Sequence, residues 1–104
     1  MLSMIKIAVD AMGGDNSPDK VINGIIHHYQ SNKDVFYKIF GHQETIQSLI
    51  KNKVNDKNFE IINTLKKVSS EDSPLEAAKR GKDTSMWLAI DSVKRNDCHI
   101  VISA

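Results

Sequence analysis

Only one cysteine, Cys98, occurs among 104 residues, which excludes an intrachain disulfide framework and a multi-thiolate metal site and fits a reducing compartment. Aromatic residues amount to 6%, leaving few large anchors for a core. No stretch approaches the roughly 20 apolar residues needed to cross a bilayer, and Met1-Leu2-Ser3-Met4 is too short for a signal peptide, so a cytoplasmic protein is expected. An excess of charge of one sign is also missing. Fourteen basic and thirteen acidic side chains give a net charge of +1, which supplies no long-range field to gather nucleic acid or an acidic membrane. An anionic ligand would have to be caught locally.

What is present is ordinary for a globular chain: 40% hydrophobic and 26% charged residues, with no internal repeats or low-complexity segments. A chain of this length hides roughly two-thirds of its unfolded surface, enough for one modest core, so residues 1–104 are read as a single α/β domain. Met4, directly before the first apolar run, could serve as the natural start as well as Met1.

Ile5, Ile7 and Val9 alternate with Lys6 and Ala8, and the run ends at Asp10 beside glycines, which predicts a strand. Asn16-Ser17-Pro18-Asp19 offers a cap, a proline suited to the first helical position and an acid for the first turn. Val21, Ile22, Ile25, Ile26 and Tyr29 then form one apolar face of a helix, which ends at Ser31 to Asp34. Val35 to Gly41 reads as a second strand, Ile46, Leu49 and Ile50 as a short helical stripe, Lys51 to Asn58 as a polar connection, and Phe59 to Asn63 as a third strand. Thr64 to Ser73 has neither period and reads as a surface loop. Ser73-Pro74-Leu75-Glu76 matches a capping box for a short helix to about Arg80, closed by Gly81 in a left-handed conformation. Asp83 or Thr84 can cap the next helix, with Met86, Ala89, Ile90 and Val93 as its buried stripe and Trp87 and Leu88 outside it; apolar residues on more than one side call for cover from a further surface. His99 to Ala104 reads as a fourth strand. The alternation predicts an α/β fold, a mostly parallel sheet flanked by helices, with its functional loops after Asp10, Gly41, Asn63 and Ala104 at the carboxyl ends of the strands.

The segment from Asp10 to Pro18 gathers two carboxylates, two glycines and a helix start on one such loop. Gly13 and Gly14 allow close backbone approach, and free amides with the helix dipole can hold an anion. An equally weighted alternative is that the glycines only turn the chain while Asp10 and Asp15 bond local backbone. The glycine spacing matches neither the Walker nor the dinucleotide pattern. Lys79 and Arg80 suit the last turn of a helix before Gly81. Lys82 precedes a helix start, where a cation is locally disfavoured, and an arriving phosphate would offset that. With the hydroxyls of Thr84 and Ser85 and the N-terminal amides it makes an anion pocket, Asp83 being a further candidate on the same segment and a solvated lysine the alternative. His27 and His28 are neighbours that face different directions on a helix and suit the surface better than a shared metal site. Cys98 and His99 are neighbours on an extended chain and point apart, so neither is assigned a catalytic role. Ser103 is a candidate only because of its place at a strand end, a buried strand-end serine being the more common finding.

Through Ile7-Ala8-Val9-Asp10-Ala11-Met12-Gly13-Gly14-Asp15 with Pro18, then Lys82-Asp83-Thr84-Ser85-Met86, then Val101-Ile102-Ser103-Ala104, in matching order and spacing, the chain resembles the phosphate acyltransferase family of bacterial phospholipid synthesis. The resemblance implies a three-layer α/β/α sandwich like those of phosphotransacetylase and isopropylmalate dehydrogenase. It also implies transfer of a fatty acyl group from acyl carrier protein onto inorganic phosphate, no metal or organic cofactor, a homodimer, and loose association with the inner face of the membrane. On this expectation the Gly13-Gly14 loop and the helix start at Lys82 to Ser85 hold phosphate or the developing oxyanion, while Asp10 and Asp15 orient the loop. Members of the family are considerably longer, so the chain is expected to be a fragment that is inactive alone. Two other classes stand beside this one: a non-catalytic remnant or split-gene product that works only with a complementary polypeptide, and a generic α/β anion-binding module. Formation of acyl phosphate by the completed protein separates the enzyme from both.

Overall fold

A computed structural model describes residues 4–12, 18–64 and 85–103. Four strands, β1 (Ile5–Asp10), β2 (Val35–Gly41), β3 (Phe59–Asn63) and β4 (Ile100–Ser103), form one sheet in the order β3-β2-β1-β4. Every pairing is parallel. Among the described residues the α-helices are α1 (Asp19–Ser31), α2 (Gln43–Ile50) and α3 (Ser85–Lys94). The α/β architecture and the parallel sheet are as the alternation of periods predicts.

Alternation along the strands divides the core between the two faces of the sheet. Ile7 and Val9 of β1 and Val35, Tyr37 and Ile39 of β2 pack with Ile22 and Ile25 of α1 and Ile46 and Ile50 of α2. On the opposite face Ala8 and Phe40 pack with Ala89 of α3 and Cys98, joined by Ile62, Leu88 and Val93. The result is a helix layer, a sheet and a second helix layer. Burial of each large side chain such as Ile22 or Ile39, both inaccessible, contributes about 1.5–3 kcal/mol.

The face of α3 that meets the sheet differs from the expected one. Ser85, Ala89 and Ser92 are its buried residues, Leu88 and Val93 pack beside them, and Met86 and Ile90 are exposed. The helix lies against β1 and β2, where it meets Ala8. Small side chains permit that approach, and the Ser92 hydroxyl is satisfied within the helix by donating to the Ala89 carbonyl at 2.6 Å.

Two local devices were also not anticipated. A short 3₁₀ helix at Asp56–Asn58 interrupts the polar connection before β3, and buried Asn58 uses Nδ2 to donate to the carbonyls of Lys33 and Val35, both at 3.0 Å. After α3, Asn96 takes φ of 62°. Its N–H donates to the Val93 carbonyl at 3.0 Å while Asp97 N–H donates to Ser92 at 2.8 Å, the paired bonds of a Schellman ending. This turn feeds β4, where His99 N–H donates to the Lys6 carbonyl at 2.8 Å and Lys6 N–H donates to His99 Nδ1 at 3.0 Å.

Pro18 flanks α1 rather than entering its first turn, and its carbonyl accepts from Ile22 N–H at 2.9 Å. The glycine loop with Gly13, Gly14 and Asp15, the helix expected from Ser73 to Arg80, the ending at Gly81, the cap at Asp83 or Thr84, and Ala104 lie outside the described residues.

Candidate functional site

The strand order itself locates a crevice. From β1 the chain steps to β2 and β3 on one side, then crosses to place β4 on the other side of β1. The direction in which strands are added therefore reverses at β1, which has β2 on one side and β4 on the other, and in open α/β sheets ligands bind outside the carboxyl ends of the strands at such a reversal. Asp10, the last residue of β1, lies in register with Ser103, the last residue of β4.

Asp10 is wholly buried at this point. Ser85, in the first turn of α3, donates its hydroxyl proton to Asp10 Oδ1 at 2.5 Å. The same carboxyl oxygen accepts the Met12 backbone N–H at 3.0 Å. Asp10 thus fastens the N-terminal end of α3 to the end of β1 and fixes the first residues of the loop that follows. Helix N-termini carry unpaired N–H groups and the positive end of the peptide dipole, so this bond sets them at the carboxyl edge of the sheet.

The neighbouring strand ends are held by packing and capping. A Cβ on Gly41 would lie 2.6 Å from Ile46 Cδ1 and 3.0 Å from Met12 Cγ, so glycine is required for Met12 and α2 to close over the end of β2. His42 Nδ1 and the Thr45 hydroxyl are hydrogen-bonded at 2.8 Å, and the Asn63 carboxamide oxygen accepts Gln43 N–H at 3.0 Å. Thr64, just past β3, buries a hydroxyl with no partner among the described residues.

Of the sequence candidates, the fold unites Asp10 and Ser85 through a hydrogen bond and brings Ser103 into register beside Asp10. Gly13, Gly14, Asp15, Lys82, Asp83 and Thr84 are outside the described residues. The bond from Asp10 to the Met12 amide agrees with the alternative in which the aspartate organises local backbone. An aspartate ahead of a glycine turn commonly bonds the amide two residues on, a signal that could have singled out Met12. His27 and His28 are exposed, the latter hydrogen-bonded through Nδ1 to the Tyr37 hydroxyl at 2.5 Å. Buried Cys98 and exposed His99 have separate environments. Among the described residues no three His, Cys, Asp or Glu side chains gather as a metal site, and no helix is long and apolar enough to cross a membrane.

Residues 5–104 match the family described as fatty acid synthesis protein. A phosphate acyltransferase of Pelagibacter ubique is 62% identical over 104 residues, which is 100% of this chain and 31% of that protein. Phosphate acyltransferases of Enterococcus faecalis and Lacticaseibacillus casei are each 38% identical, over 96% and 95% of this chain and 29% and 28% of their own length. The chain spans under a third of these relatives. With the match running through all four strands and the Asp10 to Ser85 couple, the chain belongs to the fatty acid synthesis protein family.

Proposed function

We propose that this chain forms part of an enzyme that transfers a fatty acyl group from the thioester of acyl carrier protein to inorganic phosphate, giving acyl phosphate for phospholipid synthesis. The observation that carries this reading is the hydrogen bond from Ser85 to Asp10, which sets the first turn of α3 at the strand reversal beside the ends of β1 and β4. The names of the relatives, phosphate acyltransferase, supply the acyl and phosphate classes.

In this reaction a phosphate oxygen attacks the thioester carbonyl carbon. A C–O bond forms, the carbonyl oxygen takes up negative charge, and collapse breaks the C–S bond to release the carrier thiol and acyl phosphate. No protein nucleophile is required. Holding phosphate beside the carbonyl and offering N–H groups to the oxyanion can supply most of the acceleration. Gly13, Gly14, Lys82 and Thr84 are the proposed contacts to phosphate or oxyanion, with Asp83 offering only its backbone N–H. Asp10 and Ser85 are positioning residues: the Ser85 proton is committed to Asp10, so Ser85 acts by fixing the helix start, Asp15 is proposed to orient the glycine loop with Asp10, and Ser103 is a further candidate in register beside Asp10. The assembled enzyme works as a homodimer in the cytoplasm, loosely associated with the inner face of the membrane.

The test joins the chain to the remaining length of the Pelagibacter ubique relative and supplies acyl carrier protein thioester with inorganic phosphate. Acyl phosphate, followed by transfer of labelled inorganic phosphate into an acyl-bound form together with release of the carrier thiol, is expected only when phosphate is present, with a loss of about 10²–10³-fold on Lys82→Ala, the scale for removal of one charge-stabilising donor. A folded joined protein that releases no acyl phosphate would sink the reading.

A further inference from the structure

Gly13 and Gly14 carry no side chain that could hold them in place, and glycine leaves the backbone more freedom than any other residue. Whatever fixes their amides has to act through the neighbouring residues. On the strand side the chain is fastened step by step as far as Met12. Ala11, wholly buried, donates its N–H to the Phe40 carbonyl at 3.0 Å, and Met12 N–H is held by Asp10 Oδ1 at 3.0 Å. The Met12 side chain then lies over the end of β2. A Cβ on Gly41 would come within 3.0 Å of its Cγ and 3.1 Å of its Sδ, so the thioether rests against bare backbone. Ile46 of α2 closes the same space, with Cδ1 2.6 Å from that position. This socket is itself fixed, because the Gly41 carbonyl accepts Thr64 N–H at 2.8 Å and the His42 carbonyl accepts Ile46 N–H at 3.0 Å. An unbranched thioether suits an irregular gap of this kind.

We infer that Met12 is a positioning residue for phosphate binding: its side chain, seated in the socket of Gly41 and Ile46, holds the start of the glycine loop at the carboxyl edge of the sheet. The two anchors of the loop start lie on opposite faces. Asp10 reaches Ser85 of α3, on the face of Ala8 and Phe40, whereas Met12 reaches Gly41 and Ile46, on the face covered by α1 and α2. A loop start held from one face alone could swing about the Asp10 bond, and the second contact removes that freedom. The thioether takes no part in bonds made or broken. A displaced loop would lose its amide contacts to phosphate in the ground state and the transition state alike, which raises KM for phosphate with kcat little changed. The inference rests on the proposed assignment of Gly13 and Gly14 to phosphate, and the binding measurement below is readable whether or not acyl transfer is observed.

The chain joined to the remaining length of the Pelagibacter ubique relative is compared with its Met12→Ala and Met12→Leu variants, by calorimetric titration with inorganic phosphate and by steady-state kinetics. Met12→Ala empties the socket and should weaken phosphate binding at least fivefold, with a matching rise in KM for phosphate and a KM for the carrier thioester within twofold of the parent. Met12→Leu, a swap that nearly conserves volume, refills the socket and should restore phosphate affinity to within twofold. Should Met12→Ala fail to fold, Met12→Gln, of similar reach but polar, is measured in its place with the same expectation. Parent-like phosphate affinity in a folded Met12→Ala or Met12→Gln protein overturns the inference, as does a Met12→Leu protein no better than Met12→Ala. Equal changes in the two KM values would mark a general structural role and also overturn it. So would a parent that binds no phosphate. A parent that binds phosphate but forms no acyl phosphate sinks the reaction alone, and the phosphate affinities of the variants then decide the role of Met12.

Discussion

Ser85 and Asp10, 75 positions apart in sequence, meet in a 2.5 Å hydrogen bond between the first turn of α3 and the last residue of β1. Both are buried, and the same Asp10 oxygen also accepts the Met12 amide. Replacing Ser85 by alanine removes the donor and leaves a buried carboxyl oxygen one bond short. A hydrogen bond to a group of this kind contributes about 1.5–3 kcal/mol, so Ser85→Ala should lower the urea midpoint by that equivalent without changing the slope of the transition. A midpoint within the equivalent of about 0.5 kcal/mol of the parent, the ordinary range for surface substitutions, would show that the bond does not hold α3 to the sheet.

Gly41 is glycine for want of space. Its missing Cβ would approach Ile46 Cδ1 to 2.6 Å, and Ile46 is inaccessible to solvent. Gly41→Ala should therefore destabilise the chain by about 1–3 kcal/mol, the usual cost of overpacking a well-filled core, read by chemical denaturation. A companion Gly24→Ala, whose Cβ would meet nothing within 4 Å in the middle of α1, should instead stabilise by about 0.5–1 kcal/mol. If both substitutions shift stability in the same direction, the packing at the end of β2 is not as described.

The Tyr37 hydroxyl is held above its ordinary value of 10.0, first by burial and then by the nearby Tyr29. Between 10.0 and the raised value the unfolded chain loses this proton while the folded chain keeps it. Stability from this group is therefore constant below pH 10.0 and declines as pH rises through the folded value. Urea titrations of the parent and Tyr37→Phe should give a constant difference at neutral pH, and above pH 10.0 the parent should lose stability relative to the variant. An unchanging difference across the alkaline range would contradict the burial of that hydroxyl.

Much of the fold was legible because its strands alternate. Ile5 to Asp10 could be bounded from period two and the turn residues after it, Val35 to Gly41 from its apolar and aromatic run, and the face of α1 from Val21, Ile22, Ile25 and Ile26. The buried face of α3 was not, because a hydrophobic pattern selects Met86 and Ile90 whereas contact with Ala8 selects small residues, two of them serines. Ser85, Ala89 and Ser92, at steps of four and three, were the overlooked signal. Asp10 and Ser85 could each be named from local context, but not as a pair. Their meeting depends on α3 crossing back over β1 in the order β3-β2-β1-β4, a long-range fact that no local spacing carries. The bonds from Asn58 to Lys33 and Val35 were hidden for the same reason.

The central claim is that Asp10, through Ser85, sets a helix start that serves acyl transfer to phosphate. Its most direct test is the steady-state rate of acyl phosphate formation by Asp10→Asn in the chain joined to the remaining length of the Pelagibacter ubique relative, with folding checked by circular dichroism. The account predicts a fall of at least tenfold in kcat/KM for phosphate, a loss of about 1.4 kcal/mol or more in transition-state stabilisation, in a protein that remains folded. A folded Asp10→Asn enzyme with kcat/KM within twofold of the parent would contradict it.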